Sequence, residues 1–377
     1  MAGGPADLWA AAFAPDGRTL ATGGADHALA LWEAATGHPQ ARRHGHGDEI
    51  LSVAFSPDSR WVAAAGCDGT VRLWETAPPV VADLPAVKNP ACLSPSGEFV
   101  LEESSLGRVQ IWNRPDARGI ALPTTPPLSV LGFDRDGTTF ATLTKADQNR
   151  PPAVQFWRAN GEPVGAAVPL AGAEPDWTAC AAAPAAGVVA LAARRGKITL
   201  HDWRTGALRR ELTPTRISPS RLLLSRDGRR CAAFVWPRQM LMFDTASGAT
   251  LAKWRGTDSE WSAFAFSPDG RLLACGGADN RVTVFEADTG REVAVLRGHK
   301  AEIKALAFSP DGRTLASSSR SLTLKLWHVP TWRELATLAD DKLFTFLAFS
   351  DDGTAFFAGE YGKALHRFTA PRSADEP

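Results

Sequence analysis

Phe308-Ser309-Pro310-Asp311-Gly312 decides the fold, because it does not stand alone. Phe266-Ser267-Pro268-Asp269-Gly270 precedes it by 42 residues, and Phe349-Ser350-Asp351-Asp352-Gly353 follows it by 41. Phe55-Ser56-Pro57-Asp58 and Phe13-Ala14-Pro15-Asp16-Gly17 repeat the unit near the start of the chain. Aligned on the turn glycine or its equivalent, the positions are Gly17, Ser59, Gly97, Gly137, Gly187, Gly228, Gly270, Gly312 and Gly353, which makes nine units. A period near forty residues means that one small supersecondary unit is stacked many times, each neighbour supplying the core that no unit builds alone. The long step from Gly137 to Gly187 holds Gly165 to Pro175, an Ala/Pro/Gly-rich run that reads as an extended loop.

Within each unit the pattern is β. A short apolar run such as Leu272-Leu273-Ala274-Cys275 follows the turn. A Gly/Asp turn such as Cys67-Asp68-Gly69 comes next, then an alternating strand ending in an aromatic residue, as in Thr70-Val71-Arg72-Leu73-Trp74. A second turn (Asp288-Thr289-Gly290) and a further strand (Glu292-Val293-Ala294-Val295-Leu296) complete the unit. Period-two alternation bounded by closely spaced turn residues signals successive hairpins. Four strands per unit, repeated radially, form a propeller blade. The expected fold is therefore all-β: a single β-propeller of four-stranded antiparallel blades over residues 1–370, then a short disordered tail at 371–377. Nine blades in one ring is the expected count, with eight as the alternative. After Ala364 to Phe368 only the tail remains, so the last blade is expected to lack its outer strand.

These residues resemble the WD-repeat (Trp-Asp repeat) family of β-propellers. Gly298-His299 opens unit 8, with Asp311-Gly312 thirteen residues later and Trp327 closing the third strand. Gly45-His46, Asp58, Asp68 and Trp74-Glu75 give unit 2 the same frame. The aromatic slot reads Trp32, Trp74, Trp112, Trp157, Trp203, Phe243, Phe285, Trp327 and Phe368. The resemblance implies a stabilising network that joins a His, a strand hydroxyl, a turn Asp and the Trp indole. Unit 1 offers Thr22, Asp26 and Trp32 but Gly4 at the His position; unit 2 offers His46, Asp68 and Trp74 but Ala64 at the hydroxyl. Unit 8 offers His299, Ser317 and Trp327 but Ser321 at the Asp, so no unit is expected to complete the network. Arginine far outnumbers lysine, and Ala and Pro are abundant, which points to a GC-rich, bacterial genome; bacterial WD-repeat arrays that resemble this one are often fused to Ser/Thr kinase domains.

Composition narrows the function. Lys+Arg and Asp+Glu balance at 41 each, which argues against a broad nucleic-acid footprint or a membrane surface. Five scattered cysteines with no CxxC pair point to reduced thiols and a cytoplasmic setting. Leu8 to Phe13 is in register with the later first strands, so it reads as blade rather than signal peptide. Acid pairs such as Glu102-Glu103, Asp340-Asp341 and Asp351-Asp352 read as turn acids. His44-Gly45-His46 could bring two imidazoles near one metal, but two alternate histidines alone do not make a site, so no metal site and no cofactor is expected. Trp9, Trp177 and Trp261 lie near first-strand starts, where half-exposure at a rim is expected.

The surface remains. The residue before each turn-Asp position is small in units 1, 2, 3, 5 and 7, but Arg150, Trp236, Arg320 and Tyr361 stand there in units 4, 6, 8 and 9. With Arg194 and Arg195 nearby, these make a basic-aromatic rim of the kind that anchors partners. The expected function is a non-catalytic protein-interaction scaffold that takes a protein or peptide partner, with acidic segments suited to the arginines. Two alternatives differ in kind. One is a propeller enzyme with a central-channel site of metal-assisted hydrolase or lactonase type, and the other a sensor module of a larger signalling protein. First strands such as Leu51-Ser52-Val53-Ala54 and Ser262-Ala263-Phe264-Ala265 carry few groups for channel chemistry.

Overall fold

The structure, a computed structural model, describes residues 7–44, 46–57, 59, 61–76, 90–104, 108–113, 118–123, 128–144, 151–212, 218–236, 239–256, 260–339 and 342–369. Nine antiparallel sheets follow one another along the chain, one for each repeat, as the blades of a β-propeller. They span residues 8–44, 50–75, 90–121, 128–169, 177–212, 221–255, 261–296, 303–339 and 344–369, and are numbered sheets 1 to 9 in that order. Seven are four-stranded, with strands in sequence order; sheets 2 and 9 have three strands among the described residues. The expected tail at 371–377 lies outside the described residues.

The recurring Ser-x-Asp-Gly is explained by its turn. Ser309 Oγ donates to Asp311 Oδ1 at 2.5 Å and accepts the Thr314 amide at 2.9 Å, and Ser225, Ser267 and Ser350 repeat the arrangement. The hydroxyl thus replaces water for a backbone donor that the turn leaves unpaired. The glycine sits at φ between +68° and +72° in units 1, 3, 4, 6, 7, 8 and 9, a region that penalises a Cβ. Ser59 takes the same conformation at φ +61°, at a cost of about 1 kcal/mol. A hydrogen bond offsets part of it, since the Asp16 N–H of sheet 1 donates to Ser59 Oγ at 2.9 Å.

Packing between sheets follows one rule. The slot aromatic at the end of the third strand faces the preceding sheet, as Trp157 faces sheet 3 and Trp327 faces sheet 7. Apolar clusters join sheets 3–4, 4–5, 5–6, 6–7, 7–8 and 8–9 in this way. A further cluster joins Ala355, Phe357 and Leu365 of sheet 9 to Val100, Leu93 and Trp112 of sheet 3. The Asp351 amide donates to the Pro95 carbonyl across the same join at 2.9 Å. The interfaces therefore run in a cycle of seven, and sheets 1 and 2 pack on each other as a separate pair. All nine expected sheets are present, but one ring of nine gives way to this arrangement. Seven members bring the inner strands close enough for Arg226 of sheet 6 to reach Asp351 of sheet 9 at 2.5 Å. A wider ring would leave those groups facing empty space and forfeit their dispersion contacts.

The pair of sheets 1 and 2 is held to the outer side of sheet 8. Arg72 Nη1 of sheet 2 lies 2.9 Å from Glu334 Oε1 on the fourth strand of sheet 8. Other sequence expectations are revised here. Residues Pro163–Pro169 form a strand, so the expected loop begins only after it. Glu102 and Glu103 lie on a strand rather than in a turn, where Glu102 accepts the Trp112 indole N–H at 2.8 Å. In sheet 5 the slot is filled by His201, paired with Val189, and not by Trp203; Trp203 lies two residues further on, packed edge-on against Phe156. Trp261 is buried, whereas Trp9 is exposed as expected.

Candidate functional site

The histidines that open units 8 and 2 are buried in hydrogen-bonded clusters. In unit 8, His299 Nε2 and Ser317 Oγ are 2.7 Å apart, and the Trp327 indole N–H donates to the same hydroxyl at 2.8 Å. His299 Nδ1 lies 2.7 Å from Thr323 Oγ1, so a threonine two residues past Ser321 occupies the place expected for Asp. The network in this unit is therefore complete, contrary to the sequence expectation. Burial first, and then the nearby Lys325 charge, lower the His299 pKa to about 4, so the ring is neutral at pH 7.

Unit 2 is the partial case. His46 Nδ1 lies 3.0 Å from Asp68 Oδ2, and the Gly47 amide donates to the same oxygen at 2.8 Å. Burial alone would raise the Asp68 pKa, but donors from Thr70, Gly47 and His46 hold it well below the usual carboxylate range. His46 Nε2 is buried with no partner among the described residues, because Ala64 supplies no hydroxyl. Ala64→Ser is therefore expected to stabilise the chain by about 1 kcal/mol, read as a raised urea midpoint with unchanged slope. Unit 1 keeps the Trp32 to Thr22 bond at 2.8 Å, and Asp26 caps the Ala28 amide and pairs with Arg42. Among the described residues no group of three or more His, Cys, Asp or Glu could hold a metal ion. The His44 side chain and Gly45 lie outside the described residues.

The rim residues share one side of the ring, on the turns between second and third strands. Arg194 and Arg195 follow the strand Val188–Ala193, Trp236 follows Arg230–Val235, Arg320 follows Thr314–Ser319 and Tyr361 follows Ala355–Glu360. They therefore sit on sheets 5, 6, 8 and 9, an arc interrupted only by Ala278 of sheet 7. Trp236 and Tyr361 are 62% and 66% exposed, a large apolar area to leave in water. Arg150 lies outside the described residues.

Acidic residues at the entry to the first strands temper the rim's charge. Arg194 lies 3.8 Å from Asp176, and Arg320 lies 3.7 Å from Glu302, which also pairs with Lys304 at 2.8 Å. The Trp236 indole N–H donates to Glu260 Oε1 at 2.8 Å, which fixes the ring of sheet 6 against the edge of sheet 7. The rim is thus aromatic with alternating charge rather than a bare cationic patch.

The opposite side of the ring carries a feature that the sequence reading passed over. A cavity of about 280 Å³ is lined by Phe266, Phe308, Phe349, Pro268 and Pro310, with Arg226 and Asp351 among the residues around it. The signal was present: the motif's proline is replaced by Arg226 in unit 6 and by Asp351 in unit 9. Across units 6 to 9 those two side chains pair, and each is about half exposed.

The family described as WD domain, G-beta repeat matches residues 3–33, 37–75, 248–286 and 290–328. Three of these frames begin with the fourth strand of one sheet or just before it, and all four end one residue past the slot aromatic of a sheet. No curated protein matches the chain.

Proposed function

We propose that this chain, which belongs to the WD-repeat family, is a non-catalytic scaffold that binds a protein segment on the second-to-third-strand turn face of its ring. WD repeats generally mediate protein–protein interaction, and the exposed Trp236 and Tyr361 are the observation that carries the reading to this face. Tyr and Trp present a large rigid contact area for few lost rotamers, and Arg presents a planar fork of donors, which is why these residues anchor interfaces. The bound segment supplies apolar side chains for the two rings. Any carboxylate it brings to Arg194 or Arg320 must compete with Asp176 and Glu302, so the aromatics contribute more to affinity than the arginines.

The combined Trp236→Ala, Arg320→Ala and Tyr361→Ala variant is expected to melt within about 2 °C of the parent chain, because exposed positions contribute little to stability. Capture from a lysate of the source organism, with crosslinking, should recover a partner with the parent chain and lose it with the variant. Equal recovery by both forms would place the interface elsewhere.

A further inference from the structure

We propose that sheets 1 and 2 are a docking module through which one copy of this chain binds a second copy, sheet 1 of one chain seating on sheet 2 of the next. The observation is a break in an otherwise uniform pattern. Three residues before the slot, on the face turned to the following sheet, stand Leu29, Val109, Val154, Ile198, Met240, Val282, Leu324 and Leu365, and all are at most 1% exposed. Val71 occupies the same position in sheet 2 and is 67% exposed. Among the described residues nothing covers it.

The complementary face is open on sheet 1. Phe13 pairs with Leu20, and Leu20 with Trp32, so the three side chains form one row on the side turned away from sheet 2. Their counterparts in sheet 3 are Leu93, Val100 and Trp112, which sheet 9 covers with Ala355, Phe357 and Leu365. In sheet 1 Phe13 is 66% exposed, while Leu20 and Trp32 are half-buried.

Sheets 9 and 3 are far apart in sequence, yet they join by the same rule as consecutive sheets. The faces therefore match by type and not by chain neighbourhood. Each chain carries one open face of each type, on opposite sides of a two-sheet stack, so the two cannot meet within one copy. A second copy supplies the match without any other partner. One such face measures roughly 15 by 20 Å, three strands about 4.8 Å apart with side chains every 3.3 Å. At about 300 Å² a side this is well below the roughly 800 Å² a side of a standard interface, so the contact is weak and reversible, with an affinity on the order of tens of micromolar. The contact is head-to-tail, and such contacts propagate unless the geometry closes.

The design of the test uses that asymmetry. Phe13→Glu removes the face of sheet 1 and leaves that of sheet 2; Val71→Glu does the reverse. Sedimentation of the parent chain from about 1 to about 200 μM, bracketing that affinity, should show species larger than dimers that grow with concentration. Each variant alone should sediment as a monomer, and their equimolar mixture should give dimers and nothing larger. Should either glutamate lower the melting temperature, Phe13→Ser and Val71→Ser are read in the same way. A parent chain that stays monomeric throughout, or a mixture that does not dimerise, overturns the proposal. So does loss of assembly in the variant lacking Trp236, Arg320 and Tyr361, which would move the contact to the rim.

Discussion

Ser317→Ala is expected to cost about 2–6 kcal/mol, because one hydroxyl serves two buried groups and each orphan costs about 1–3 kcal/mol. Ser317 is fully buried, its Oγ lies 2.7 Å from His299 Nε2, and it accepts from Trp327 Nε1 at 2.8 Å. Without it both ring nitrogens remain in the apolar join of sheets 7 and 8, with no water to replace the bond. Equilibrium urea unfolding should show the midpoint falling at unchanged slope. A loss below about 0.5 kcal/mol, the size of an ordinary surface substitution, would mean that the network contributes little.

The same cluster predicts a pH dependence. The folded His299 has its pKa lowered to about 4 from the ordinary histidine value of 6.5, so the unfolded chain binds the extra proton between those limits. Stability is then fully present above pH 6.5 and falls as the pH drops toward 4, by about 3 kcal/mol at roughly 1.4 kcal/mol per unit. His299→Gln should flatten this slope, whatever its effect at neutral pH.

Glu334→Ala is the second large effect, expected to cost about 3 kcal/mol, since breaking a buried ion pair leaves an uncompensated charge. Lys325 Nζ, with little access to solvent, lies 2.9 Å from Glu334 Oε2 and donates to Thr337 Oγ1 at 2.9 Å. Glu334 Oε1 takes Arg72 from sheet 2, so the same carboxylate ties the two-sheet pair to the ring. Glu334→Ala combined with Lys325→Met should recover most of the loss at the lysine, because the charge leaves with its partner. Hydrogen exchange should show sheets 1 and 2 loosened in both variants, since neither restores the Arg72 contact. Protection of those sheets at the parent level in both would show that Arg72 does not hold them.

Much of this was legible from local chemistry. The Ser-x-Asp-Gly turn, the positive φ of its glycine and the two-residue alternation are short-range consequences of residue type. They specify nine sheets and place Trp236, Arg320 and Tyr361 on turns. The unit 5 slot misled because Trp203 is the larger aromatic, while strand register gives the place to His201. The unit 8 network misled because Thr323 reaches His299 where Ser321 holds the expected position. In both cases the fault lies in reading a spacing without the pairing that sets direction.

By itself, then, the chain's order of residues determined the blade, its turns and the repeat count, since each depends on contacts within about forty residues. Which blade meets which was decided only in three dimensions. Every sheet offers the same two kinds of face, so the sequence leaves sheet 9 free to meet sheet 1 or sheet 3. The choice falls to how tightly seven inner strands pack around their axis. That choice closes the ring on sheet 3 and leaves Phe13 and Val71 facing water.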